Sequence, residues 1–263
     1  MKEWDINTEW QDLLKEESKE AGKRINKKEA AVFRKIKNTV PSGVGDKLES
    51  AFAAGFELVF KKGVPLIECT YDRKKFVRKY RVNSRVFEME NSRENLERFT
   101  KQARKRGSIN RLISGAEGIV LGVLGIGIPD IPVFIGVLLK NVYEIAMSFG
   151  FSYEGNREKL FILDLIRTAL CSPGDFERYN NEINSSIDDG QLQECSDEEL
   201  KARIKETASV LADRLLYLKF IQGIPVAGAL GGISDLTCVH SVTEYALLKY
   251  RRRFIILRMA GNR

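Results

Sequence analysis

Apolar residues recur along this chain at helical spacing, and almost every segment reads as helix. Trp10, Leu13 and Leu14 form a short stripe among Glu and Lys in the opening segment, the signature of an amphipathic surface helix. "PSGVGDKLESAFAAGFELVFKKGVP" opens with turn residues, sets Leu48, Phe52, Phe56, Val59 and Phe60 on one face, and stops at Gly63 before Pro65. "TYDRKKFVRKYRV" predicts a short basic helix through Phe76, Val77 and Tyr80. In "NSRENLERFTKQARKR", Asn91 stands three residues before Glu94, and in "ECSDEE" Ser196 stands three before Glu199; both predict capping boxes that start helices. "REKLFILDLIRTALCSPG" is apolar enough for a deeply packed helix. The Asn-, Ser- and Asp-rich residues near 172–198 predict an acidic linker. No alternating β-branched run is long enough for a sheet, so the expectation is an all-α helical bundle. Residues 1–44 are expected to form a charged helical extension, and 45–263 the main helical domain.

Two stretches break the amphipathic pattern. Gly118–Leu139 holds 22 residues with one formal charge, Asp130, and Phe220–Thr243 holds 24 with one, Asp235, plus the chain's single histidine, His240. Each has the length to cross a bilayer, roughly 20 residues. A carboxylate at a helix centre costs at least about 2.5 kcal/mol there, and Pro129 and Pro132 interrupt helical hydrogen bonding. A straight membrane helix is therefore disfavoured, and each stretch is expected to be a glycine-rich hairpin of broken helices with Asp130 or Asp235 at the turn. Such hairpins can be buried in a soluble bundle or dip into a membrane leaflet where protein or water covers the turn. The order of apolar glycine-rich stretch, Asp, then Glu and Tyr occurs twice: Asp130 leads to Tyr143 and Glu144, Asp235 to Glu244 and Tyr245. The Asp-to-Glu spacing differs, 14 against 9, so the pseudo-repeat is loose.

Charge changes the picture by its distribution. The 263 residues carry a formal +7, yet residues 61–111 alone hold 16 Lys/Arg against 6 Asp/Glu. Ser172–Glu199 holds nine acids and one base, and after Glu244 there are six bases and no acid. Basic residues interleaved with aromatics suit an anionic membrane surface, each adding about 1 kcal/mol near such a leaflet. The candidates are Arg73, Lys74, Lys75, Arg78 and Lys79, then Arg104, Lys105 and Arg106, then Arg251, Arg252 and Arg253. Nucleic acid would attract the same charges, but no zinc finger, RNA-recognition consensus or helix-turn-helix pattern accompanies them. The four cysteines show no C-x-x-C spacing, and the N-terminus lacks an apolar signal region, so a reduced cytoplasmic setting is expected.

Catalytic motifs are sparse. No G-K-[ST] follows the glycine-rich run, no G-x-S-x-G exists, and one histidine excludes a histidine-rich metal site. No cofactor is expected. The faint constellation is His240 and Glu244, four residues apart on one helical face; if the halves pack together, Asp130, Glu144 and Asp235 can join them for acid/base or metal chemistry. The plainer reading of the pair is a side-chain contact.

"SGAEGIVLGVLGIGIPDIPVFIGVLLKNVYEIAMSFGF", "EKLFILDLIRTAL" and "GIPVAGALGGISDLTCVHSVTEYALLKYRRRF" together resemble the bacterial EcsC protein family, from about residue 45 to 255. The resemblance implies a protein encoded beside the subunits of a bacterial ABC exporter, in a system linked to protein secretion. It supplies no catalytic residues. The expected function is a non-catalytic accessory protein, cytoplasmic and peripheral to the inner face of the membrane. Its expected partners are an anionic membrane surface, an ABC transporter membrane subunit or lipid. The alternative is a small-molecule or lipid-processing enzyme, such as a metal-assisted hydrolase, with its acids between the two halves.

Overall fold

A computed structural model of the chain describes residues 5–39, 42–63, 67, 72–106, 130–190, 194–221 and 233–261. Among them are ten α-helices and no strand: α1 Ile6–Arg24, α2 Lys27–Thr39, α3 Ser42–Leu58, α4 Arg73–Met89, α5 Arg93–Arg106, α6 Asp130–Ser148, α7 Asn156–Leu170, α8 Phe176–Asp188, α9 Asp197–Ile221 and α10 Ile233–Gly261. The all-α expectation holds. A turn of π-helix, Val59–Gly63, prolongs α3 and keeps Val59 and Phe60 in the core beside Phe52 and Phe56.

Local signals account for most helix ends. The Asp5 carboxylate accepts from the Thr8 amide at 2.7 Å and starts α1. Ser196 and Glu199 form the expected reciprocal box, with the Ser196 amide donating to Glu199 at 2.8 Å and the Glu199 amide to the Ser196 hydroxyl at 3.2 Å. The box expected at Asn91–Glu94 sits one residue later: the Asn95 amide donates to the Ser92 hydroxyl, and the Asn95 side chain reaches the Glu90 carbonyl. The acidic linker expected near 172–198 is a correction, because residues 176–188 form α8. Phe176, Tyr179, Ile183 and Ile187 lie three or four residues apart and pack on the main core, a stripe hidden by the polar residues between them.

Helix directions follow from side-chain meetings. Ile145 of α6 and Leu247 of α10 line one cleft, and the Phe149 and Phe254 rings are 5.8 Å apart, so α6 and α10 run parallel. They begin 15 and 14 residues before that cleft, about 22 Å by helical rise, and so start at the same end of the bundle. α7 runs antiparallel to α10, with Glu158 meeting Tyr250 while the Ala169 carbonyl meets Ser241. α9 runs parallel to α7, its Asp197 bonding Asn156 and its Thr207 reaching the Leu163 carbonyl. The end of α9 at Ile221 thus lies at the end where α6 and α10 begin. This side-by-side pair gives the loose sequence repeat a structural counterpart.

Asp130 opens α6 and Asp235 lies in the first turn of α10; their side chains, and residues 107–129 and 222–232, lie outside the described residues. Pro132 also sits in the first turn of α6, where a missing N–H breaks no intrahelical bond. Ile131–Ser148 is apolar and long enough to cross a membrane, but 72% of it is buried, and Leu138, Leu139, Val142 and Ala146 lie in the main core. α6 is packed by α3, α4, α5 and α10. Its approach to α3 is close: a Cβ on Gly55 would lie 2.6 Å from the Ile135 side chain.

Candidate functional site

α4 lies across the C-terminal ends of α6 and α10. Phe76, Tyr80 and Phe87 face inward; Phe87 packs on Phe254, Arg73 pairs with Glu154 at 2.7 Å, and Tyr80 seats against Gly150. Gly150 has φ +83°, and any Cβ there would strike the Tyr80 ring. The opposite side of α4 faces solvent. At about 100° per residue, Lys74, Arg85, Arg78, Met89, Val82 and Lys75 fall within an arc of about 100°. All six are exposed, Met89 at 81% and Val82 at 56%. Among the described residues, no carboxylate pairs with Lys74, Lys75, Arg78, Lys79, Arg81 or Arg85. The result is a cationic helix face with two bare apolar side chains in it, where solvated cations and unburied apolar area meet on one side.

The second basic segment behaves differently. Arg251, Arg252 and Arg253, expected to contact a membrane, are neutralised inside the fold. Arg251 pairs with Glu9 and with Glu16 at 2.7 Å. Arg252 pairs with Glu17 and Asp188, both at 2.6 Å, and stacks on Trp10 at 4.7 Å. Arg253 forks onto Glu158 at 2.8 and 3.1 Å, between the rings of Phe151 and Phe161. Lys249, 1% exposed, donates to Glu17 and Asn184 at 2.7 Å. Burial pulls its amine below the usual lysine value, with Glu17 opposing. Burial pushes the Tyr250 hydroxyl well up, and the Glu158 carboxylate it donates to at 2.7 Å adds to the shift. The acids come from distant helices: Glu9, Glu16 and Glu17 from α1, Glu158 from α7 and Asp188 from α8.

The third basic segment is divided. Arg104 is exposed and lies 3.9 Å from Glu16; the Lys105 and Arg106 side chains lie outside the described residues.

The acids of the faint constellation do not converge. Asp130 and Glu144 are 14 residues apart on one unbroken helix, about 21 Å, and Asp235 and Glu244 are separated by about 14 Å on another. Glu144 is buried. Among the described residues, no three His, Cys, Asp or Glu side chains are grouped to hold a metal. His240 and Glu244 do share a site. With Glu20, Lys23, Arg104 and Thr243 they line a cleft of about 430 Å³ floored by Ala103, Ile145 and Leu247. An adjoining cavity of about 270 Å³ runs from the same four residues, Glu20, Lys23, His240 and Glu244, toward Arg24, Cys171 and Arg214. The half-buried Glu244 carboxylate has no ion pair among the described residues, while Glu20 is held by Lys23 at 2.9 Å. Cys171 is no nucleophile at neutral pH, since burial pushes its thiol up to about 12.

Two contributors escaped the sequence reading. Val82 ends the short helix expected there and Arg85 and Met89 lie beyond it, although their spacing from Lys74 and Arg78 is legible once the helix is extended. Glu20 and Lys23 reach the His240 cleft only because α1 crosses α10, and nothing local signals that crossing.

A model of the EcsC protein family matches residues 6–255, nearly the whole chain. The chain belongs to the EcsC protein family. As a member it includes α1 and α2 within the matched region. It is also 24% identical over 148 residues to the uncharacterized protein YdbA of Bacillus subtilis (strain 168), covering 56% of this chain and 53% of that protein. The chain thus spans about half the length of that curated relative. No solved structure matches this EcsC-family chain.

Proposed function

We propose that this EcsC-family protein is a non-catalytic accessory factor that sits on the inner, anionic face of the cell membrane and serves an ABC transport or secretion system. One observation carries the membrane part: the outward face of α4 bears Lys74, Lys75, Arg78 and Arg85 without acidic partners among the described residues, with Val82 and Met89 exposed among them. Phosphate-rich headgroups match those charges, and the two apolar side chains match the interface beneath. The transport part rests on the setting implied for the family.

Co-sedimentation with vesicles at low salt tests the membrane part. The chain is expected to bind phosphatidylglycerol-containing vesicles and not pure phosphatidylcholine. Combining Lys74→Glu, Lys75→Glu, Arg78→Glu and Arg85→Glu is expected to weaken binding about a hundredfold or more. Wild-type protein that stays in the supernatant, or a variant that binds equally well, sinks the proposal. Recovery of the transporter's membrane subunit with the tagged chain from detergent-solubilised membranes tests the transport part, which fails if that subunit does not co-purify.

A second reading draws on the cleft. His240 and Glu244, which has no ion pair among the described residues, stand one turn apart in a cavity large enough for a small molecule and suit acid/base work on a small substrate. His240→Ala and Glu244→Gln variants separate the readings: loss of cellular function with intact vesicle binding and stability favours the enzyme.

A further inference from the structure

The interface between α1 and α10 has an unusual composition. The N-terminal part of α1 is anchored apart from the main core: Ile6 and Leu13 cluster with Leu248 and Ile255, with Trp10 and Met259 at the edge, whereas Ala21 packs on the main core and Arg24 donates to the Ala169 carbonyl and to Ser241. The rest of the N-terminal contact is charge. Glu9, Glu16 and Glu17 are spent on Arg251, Lys249 and Arg252. On α10 the covered residues Leu248, Arg251, Arg252, Ile255 and Met259 follow a three-or-four spacing, so they form one stripe. Its chemistry, cations interleaved with apolar side chains, matches that of the exposed face of α4. α4 and this half of α10 are neighbours, joined by Phe87 on Phe254 and Arg258 beside Glu88.

We propose that the N-terminal part of α1, residues 6–17, is a releasable acidic strap: its carboxylates occupy in cis a second anionic-membrane contact surface on α10, and an anionic bilayer engaged by α4 competes for it. This rests on the membrane reading above and adds its regulation. The apolar anchor is too small to hold this part of α1 by burial alone, so the strap depends on carboxylates that a dense layer of lipid phosphates can replace. Release frees Arg251, leaves Arg252 with Asp188 alone and Lys249 with Asn184, exposes Leu248 and Ile255, and converts a weak docked state into a tighter one. Contacts among α6, α7 and α9 are untouched by the exchange, and Ala21 and Arg24 keep the C-terminal end of α1 on the main core and α7.

Hydrogen exchange of the full chain, read helix by helix with and without vesicles, tests the strap. With phosphatidylglycerol-containing vesicles, the amides of residues 6–17 are expected to exchange about tenfold faster or more, while those of α7 and α9 keep their rates. With phosphatidylcholine alone, nothing changes. Glu17→Gln, which removes the charge shared by Lys249 and Arg252, is expected to raise affinity for anionic vesicles about fivefold or more. Should the variant fold poorly, exchange on the wild-type chain still decides the matter. A chain that binds the vesicles while residues 6–17 keep their protection overturns the strap and leaves the membrane reading standing. A folded Glu17→Gln variant with unchanged affinity also overturns it. Failure to bind anionic vesicles at all overturns both.

Discussion

α4 and the C-terminal half of α10 carry nearly the same alphabet, "RKKFVRKYR" and "KYRRRF", and meet opposite fates. On α4 only Arg73 is paired, with Glu154; the other cations of that run point to solvent, with no carboxylate paired to them among the described residues. On α10 they lie among aromatic rings with every one of Lys249, Arg251, Arg252 and Arg253 paired. What separates them is the source of counter-charge. α10 is packed by α1, α7 and α8, which bring five carboxylates; α4 lies at the rim, where Phe76, Tyr80 and Phe87 face the core and no carboxylate is paired to Lys74, Lys75, Arg78 or Arg85 among the described residues. A run of arginines therefore marks a surface only when the fold leaves it unaccompanied.

The sharpest way to break this comparison is to remove one carboxylate from the buried side. Glu158→Ala leaves Arg253 and the Tyr250 hydroxyl without their partner in the interior, and is expected to cost about 3–5 kcal/mol in urea unfolding. A loss below about 1 kcal/mol would mean that the Arg253 pair behaves like a surface contact, and the distinction between the helices would collapse. The next largest effect concerns how α4 is held. Gly150→Ala forces a side chain into positive φ and against the Tyr80 ring, and is expected to cost about 2 kcal/mol and to loosen α4 in hydrogen exchange.

A third prediction uses pH. Burial raises Cys171 to about 12 from its usual 9.0 and pushes Tyr245 and Tyr250 upward as well. Between the unfolded and folded values the unfolded chain loses protons that the folded chain keeps, so stability is fully present below about pH 9 and declines above it. Cys171 alone supplies a slope of up to about 1.4 kcal/mol per pH unit. Unfolding followed from pH 8 to 11 is expected to show this decline, and Cys171→Ala to flatten it; an unchanged slope in that variant would show that the thiol ionises freely in the fold. The smallest effect belongs to the solvent side. Arg78→Ala is expected to move stability by no more than about 0.5 kcal/mol, yet to weaken anionic-vesicle binding about fivefold.

The helices, most of their caps and the core faces were legible, because they follow from spacing and local hydrogen bonding. Leu48, Phe52 and Phe56, the apolar run of α7 and the Ser196–Glu199 box all stand where the pattern puts them. α8 was missed because four apolar residues among many polar ones resemble a linker until the neighbouring helices offer them a core. The candidate sites were less legible. Side chains of one helix can be placed on a face from sequence alone, which is how His240 and Glu244 were paired. Which helix covers that face is a long-range matter.

Periodicity and capping determined that the chain is a helical bundle in which Asp130 opens an apolar helix, since both act within a few residues. Only the tertiary structure decided that α6 and α10 run side by side and that Asp130 and Glu144 stand a helix length apart. It alone also decided which arginines are spent. That last outcome depends on carboxylates brought from 64 to more than two hundred residues away, Asp188 and Glu17 onto Arg252 among them, and no local pattern in the chain records such a meeting.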